Sequence, residues 1–417
     1  MPGVGFEPTR PEGQVGLSDR RLPISTPGLP PRLPNLPNRP GANHRRQDGL
    51  AFSANTTEVP ITAQTAEEFG GRLFQASLGL LDITAVYLGD RLGYYRALAE
   101  VGGLAASGLA EATGTHPRYA REWLEQQAMT EFLTVDDATK DPEERRYSLP
   151  PGHAEVLTDR DSLSYLAPLA RAFGAAVTQL PALLEAYRTG GGVSWDQFGT
   201  DMRESQADLN RPWFLNVLGK EWFPAIAELD DRLRAGARVA DFGTGFGWSA
   251  IGMAQSYPKT TVVGIDVDGP SIEAANAAAA TAGVSERVEF LHADGVPVGE
   301  KATFDVVTAF ECIHDMSDPV AVLTAMRRLM KEDGFALVVD ERTADQFTPN
   351  GDDLERLLYG FSLLVCLPDG MSSQPSAGTG TVMRPHRLRA YARAAGFRDV
   401  EVLSVEHFQF RFYRLVV

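Results

Sequence analysis

From about residue 65, apolar positions recur at three- and four-residue spacing through FGGRLFQASLGLLDITAVYLGDRLGYYRALAE, which predicts helices broken at Gly93 and at Gly102–Gly103. LAASGLAEATG and HPRYAREWLEQQAMT continue as two short helices joined at Gly114, with Pro117 near the start of the second, where its missing N–H is harmless. EFLTVDD and RRYSLP then read as the paired strands of a wing. Helical spacing returns from 156 to about 234, carrying Trp195, Phe198, Trp213, Phe214, Trp222 and Phe223, which are expected to serve as core and interdomain packing, with the wall of a substrate pocket as the alternative. Beyond 236, short apolar runs alternate with helices, as expected for a parallel sheet covered on both faces. DVEVLSV and FQFRFYRLV close the chain as two β-rich runs, the last returning antiparallel to its neighbour.

The periods divide the chain into a tail over 1–58, a helical unit with a wing over 59–155, linking helices over 156–235 and an α/β domain over 236–417. The tail is expected to be disordered, since ten of the 27 prolines fall in the first 40 residues and no apolar period runs through it. Its opening also resembles translation upstream of a true start. A length of 417 residues exceeds what one hydrophobic core usually holds, and the 43% of hydrophobic residues can fill more than one.

Charge narrows the partners. With 39 Lys and Arg against 55 Asp and Glu, the net charge of -16 repels polyphosphate and anionic membranes. No apolar run is long enough to span a bilayer, and no secretory signal opens the chain, so a cytoplasmic protein is expected. Cys312 and Cys366 have neither a disulfide framework's number nor metal-ligand spacing, and no clustered carboxylate and amide set suggests a metal.

The candidate chemistry lies at strand ends. ARVADFG runs into TGFGWSAIGMAQ, placing Asp241, Gly243, Gly245 and Gly247 at alternate positions just before a helix. Glycines admit a ligand close to the backbone there, and the helix start offers unpaired N–H groups. TTVVGID ends at Asp266, where a carboxylate can accept both hydroxyls of a ribose, and RVEFLHAD ends at Asp294, within reach of an adenine amino group. A dinucleotide site would require a third glycine where Trp248 stands, and no phosphate-binding lysine follows the turn. The G-x-G-x-G spacing suits a ligand without pyrophosphate.

DFGTGFG, the acidic end of VVGID, the HAD after the third strand and FDVVTAFECIHD resemble the class I S-adenosylmethionine-dependent methyltransferases over about 236–417. The resemblance implies a Rossmann-like α/β sheet with an antiparallel C-terminal hairpin, and S-adenosyl-L-methionine as cofactor. It implies that the glycine turn with Asp241 holds the methionine portion, that Asp266 holds the ribose and that Asp294 lies by the adenine. Glu311, at the end of the fourth strand, joins this cofactor set.

The elements over roughly 65–155 resemble a winged helix-turn-helix domain. Between 104 and 135 it carries two cations, Arg118 and Arg121, against four glutamates, which favours dimerisation or substrate enclosure over DNA. With the segment QPSAGTGTVMRP, the whole chain resembles a group of bacterial methyltransferases, some of which carry a transcriptional-regulator label. A regulator with a methyltransferase-like sensing domain is therefore the competing expectation. A further resemblance links IHDMSDP to the HDWSD motif of small-molecule O-methyltransferases, with Met316 in place of the tryptophan. There the histidine is the general base, which makes His314 the candidate base acting on a small-molecule methyl acceptor. Packing on the cofactor or capping of the following helix is the alternative for His314, and Asp315, Ser317 and Asp318 beside it suit a cap better. GMSSQPSAGTGTVMRP is expected near the acceptor as a long loop.

Overall fold

The computed structural model describes residues 64–293 and 302–417. The predicted tail over 1–58 and the predicted adenine-side residue Asp294 lie outside them.

Helix α1 (Ala66–Arg91) starts at a capping box, in which Thr65 and Glu68 satisfy each other's backbone N–H groups. Gly93 and Gly102 bound α2 (Tyr94–Val101), followed by α3 (Ala106–Thr113) and α4 (Pro117–Met129). Strands β1 (Thr134–Val135) and β2 (Tyr147–Ser148) pair antiparallel, Val135 opposite Tyr147, and a backbone bridge from Leu104 extends the wing. Tyr94, Tyr95, Leu98, Leu109, Leu124 and Tyr147 are buried together beneath it.

Five helices follow: α5 (Pro151–Thr158), α6 (Ala167–Thr178), α7 (Leu180–Thr189), α8 (Trp195–Asn216) and α9 (Ala227–Ala235). Gly199 interrupts α8 with a left-handed φ of 72°. The linking aromatics divide. Trp222 packs edge-on against Phe410 and Phe412, as core packing requires, whereas Trp195 and Phe214 line a cavity described below.

The sheet comprises β3 (Arg238–Phe242), β4 (Thr261–Asp266), β5 (Val288–His292), β6 (Phe304–Phe310), β7 (Met330–Glu341), β8 (Asp399–Val402) and β9 (Phe410–Val416). Its order is β5-β4-β3-β6-β7-β9-β8. The first five strands are parallel, and β9 runs antiparallel between β7 and β8. Helices α10 (Trp248–Ser256), α11 (Gly269–Thr281), α12 (Pro319–Leu329), α13 (Asp353–Phe361), α14 (Leu367–Gly370) and α15 (Pro385–Ala394) complete the domain. Val306, Val307 and Ala309 of β6 are fully buried because the sheet is covered on both faces, each larger side chain contributing roughly 1.5–3 kcal/mol by leaving water. The order reverses between β3 and β6. Their C-terminal ends therefore open into a crevice, the usual place for a ligand in such a sheet.

Candidate active site

That crevice is a cavity of about 800 Å³, within the range of small-molecule sites. The glycine turn after β3 forms one wall. Gly243 has a φ of +65°, and a Cβ there would stand 2.7 Å from the Cys312 side chain, so no other residue fits without displacement. Gly247, at +77°, is held as tightly, since an added Cβ would come within 2.4 Å of the Phe290 ring. Gly245 has open space above it and lines the cavity.

Asp266 meets the turn from β4. Its Oδ2 accepts from the Gly245 N–H at 2.8 Å and its Oδ1 from the Asp268 N–H at 2.9 Å. Two backbone donors leave further acceptor positions on a carboxylate. Asp268 accepts from Ser271 at the start of α11 and forms a two-point pair with Arg203 of α8, both bonds 2.7 Å. Burial pushes the Asp268 carboxyl up, but the bonds from Arg203 and Ser271 and the Arg203 charge together outweigh it, and the net shift is downward.

Asp241 lies below the turn and outside the cavity wall. Its carboxylate accepts from Thr308 at 2.6 Å, Ser249 at 2.5 Å and Thr244 at 2.9 Å. Burial raises its carboxyl despite these three hydroxyls. It ties β3, β6, the turn and α10 together. Gly247 also lies outside the wall, packed against Phe290.

On the β6 side, Glu311 lines the cavity in a left-handed conformation, with a φ of +50° and the Gln206 amide 3.4 Å from its Oε2. Burial, then the charge of Glu341, holds its carboxyl well above the usual range. His314 is buried, 3% exposed, and does not line the cavity. Its Nδ1 meets Oδ1 of Asp340, on β7, at 2.8 Å. Burial draws the imidazole down, but the charge and hydrogen bond of Asp340, with a bond to Cys366, raise it well above its ordinary value.

Asp318 caps α12, accepting from Ala321 at 2.9 Å. Asp315 lines the cavity instead. The long segment after α14 packs on the same loop: the Ala377 N–H donates to the Ser317 carbonyl at 2.8 Å, and Ser372 and Ser373 line the cavity. Spacing did not locate Arg203, Gln206, Asp340 or Asp369, which arrive from elements distant in the chain. Asp315 carried a usable signal beside His314, although it read there as a cap.

The buried turn, the open space above Gly245 and the free acceptor positions of Asp266 fit an adenosyl-type ligand. A methyltransferase-domain family model matches residues 214–402, and a model for an Rv2258c-like winged HTH domain matches residues 78–159. The 27-O-demethylrifamycin SV methyltransferase of Amycolatopsis mediterranei is 30% identical over 204 residues, covering 45% of this chain and 75% of its own. A ubiquinone biosynthesis O-methyltransferase of Ralstonia nicotianae is 28% identical over 194 residues, covering 46% and 74%. Among solved structures, mitomycin 7-O-methyltransferase superposes with a TM-score of 0.60 at 22% identity, covering 84% of this chain and 98% of its own. Human N-acetylserotonin methyltransferase, solved with S-adenosylmethionine, gives 0.58 at 19%, covering 85% and 100%. The chain belongs to the methyltransferase family and carries a winged helix-turn-helix domain ahead of the methyltransferase domain. It is an S-adenosylmethionine-dependent enzyme.

Proposed function

We propose that the protein methylates an oxygen atom of a small molecule held in the cavity between the glycine turn and the loop after β6. The carrying observation is the single cavity bounded by Gly243, Gly245 and Asp266 on one side and by Glu311 and Asp315 on the other. The O-methyltransferase names of several relatives support the choice of oxygen.

S-adenosylmethionine supplies a methyl group on a sulfonium whose sulfur leaves neutral. Gly243 and Gly245 would lie against its methionine portion, Asp266 would accept the ribose hydroxyls, and Asp294 would reach the adenine. Asp241 and Gly247 would support the turn, and Glu311 would face the cofactor from β6. Orientation and exclusion of water can supply roughly 7–11 kcal/mol of the barrier when the geometry is good. A hydroxyl acceptor must also lose its proton. His314 is the base expected from its motif, and Asp340 at 2.8 Å supplies the carboxylate partner that orients such a base.

Two ion pairs favour the enzyme over a DNA-binding regulator. On α4, Arg118 pairs with Glu122 at 2.5 Å and Arg121 with Glu143 at 2.7 Å, which neutralises the cations a recognition helix would offer. No helix among the described residues is long and apolar enough to cross a membrane, and we place the enzyme in the cytoplasm. We also propose a homodimer through α1: Phe69 is 56% exposed and Leu73, Phe74 and Leu81 are 61–62% exposed, a face that a second copy would cover. Leu73→Asp with Phe74→Asp should halve the mass in solution by light scattering; an unchanged mass would remove the dimer.

Calorimetry with S-adenosylhomocysteine, followed by tritiated methyl transfer onto phenols, alcohols, amines and thiols, tests the activity. Absence of cofactor-product binding would overturn the proposal, and transfer only to nitrogen or sulfur would overturn the choice of oxygen.

A further inference from the structure

We infer that the Asp315 carboxylate receives the acceptor's proton, and that the His314–Asp340 pair acts behind it as a positioning pair. The inference rests on the methyltransferase reading above and reassigns one role within it. Geometry separates the two neighbours. His314 is buried outside the cavity wall, with Nδ1 committed to Asp340 and a further bond joining the ring to the Cys366 thiol. Asp315 lines the cavity, and its carboxylate makes no hydrogen bond to another described residue. A carboxylate in a ligand cavity without a protein donor is open to a donor on the ligand.

Charge points the same way. The groups acting on Asp315 are His314 beside it, Asp369 of α14, Asp340 of β7 and Asp266 of β4. Burial foremost, with the three aspartates, brings its carboxyl up to about 7, while His314 opposes the rise. A base is most effective when its proton affinity matches the working pH. Around His314, Asp340 and Glu341 of β7, Glu311, Asp315 and Cys366 surround the ring, and its raised proton affinity keeps it charged near neutrality. A charged imidazole cannot accept another proton. It can hold Asp315 ionised until the acceptor binds.

The step balances. The acceptor O–H bond breaks as its proton passes to Asp315, and the electron pair left on oxygen forms the bond to the methyl carbon. The methyl–sulfur bond breaks with its pair kept by sulfur, so one positive and one negative charge disappear together. The cavity wall also limits the acceptor class. Its one Lys or Arg among the described residues, Arg203, is bonded to Asp268 and Asp196, whereas Asp315, Asp318 and Asp369 add negative charge. Neutral or cationic hydroxyl compounds fit such a wall, and carboxylated or phosphorylated ones do not.

Three measurements on the full chain test this. Calorimetry should give the parent, Asp315→Asn and His314→Gln the same S-adenosylhomocysteine affinity within about twofold; no binding by the parent would overturn the methyltransferase reading rather than the role of Asp315. In the complex, nitrogen-15 histidine spectra should show His314 as imidazolium at pH 7, and a neutral ring there would overturn the inference even if no acceptor were known. With any hydroxyl acceptor from a panel pairing neutral and carboxylated phenols, Asp315→Asn should lower kcat by about 100-fold or more, as expected for loss of a positioned base. The acid limb near pH 7 should vanish in that variant and move to higher pH in His314→Gln. Parental turnover by Asp315→Asn, or loss of the limb in His314→Gln alone, would overturn the inference.

Discussion

The two sides of the cavity solve opposite problems. Around β3 and β4, each carboxylate is matched by donors: Asp241 by three hydroxyls, Asp266 by two backbone N–H groups, Asp268 by Arg203 and Ser271. Around β6 and β7, the acids are crowded and undersupplied, with Oδ2 of Asp340 and Oε2 of Glu341 lacking a hydrogen-bond partner among the described residues and burial holding Glu341 above its ordinary range. Burial raises Asp241 and Asp266 despite their donors, as it raises Glu341, so the two sides differ in how fully their acids are hydrogen-bonded rather than in the direction of the shift. One side is tied by donors; the other keeps open acceptor positions.

The largest expected break in this contrast comes from Gly247→Val, which combines a left-handed φ with a clash against Phe290. Complete loss of S-adenosylhomocysteine binding is expected by calorimetry, whereas Gly245→Ala, strained by its left-handed φ of +52° but with open space around it, should bind more weakly than the parent yet measurably. On the other side, Asp340→Ala leaves the His314 charge without its partner, and breaking a buried pair costs about 3–5 kcal/mol, measurable by urea unfolding. Its pH dependence has a fixed sign. His314 binds its proton more tightly in the folded state, so the pair's stabilisation is complete below about pH 6.5 and is lost as pH rises through the raised value. The stability difference between parent and Asp340→Ala should therefore shrink with alkalinity.

Asp241→Ala strands the Thr244, Ser249 and Thr308 hydroxyls and should cost about 1–3 kcal/mol for each one that finds no other partner. A smaller effect is expected for Arg203→Ala, which releases Asp268 and, through it, the loop carrying Asp266. A loss of about tenfold in cofactor affinity, or roughly 1.4 kcal/mol, should appear by calorimetry without a change in fold. An unchanged affinity would show that Asp266 holds its place without α8.

Much of the cofactor side was legible along the chain. The strand period located the ends of β3 and β4, and a glycine at each alternate position of the turn marked a backbone that side chains cannot adopt. The acceptor side was less legible. Asp340 lies 26 residues beyond His314, and Asp369 and Arg203 come from helices that no local pattern links to the site. The aromatics of the linking segment show the same limit, since spacing marked them as apolar but did not separate the buried Trp222 from the cavity-lining Trp195.

The sequence by itself determined the alternation of strands and helices, the glycine turn, the acid closing β4 and the position of His314 just beyond β6. These depend on dihedral preference and periodicity, which act between near neighbours. Only the tertiary structure decided that Asp241 supports the turn from below, that Asp340 takes His314 into the protein interior and that Asp315 is left facing the cavity. Burial and charge are sums over neighbours in space, and those neighbours come from five separate stretches of the chain.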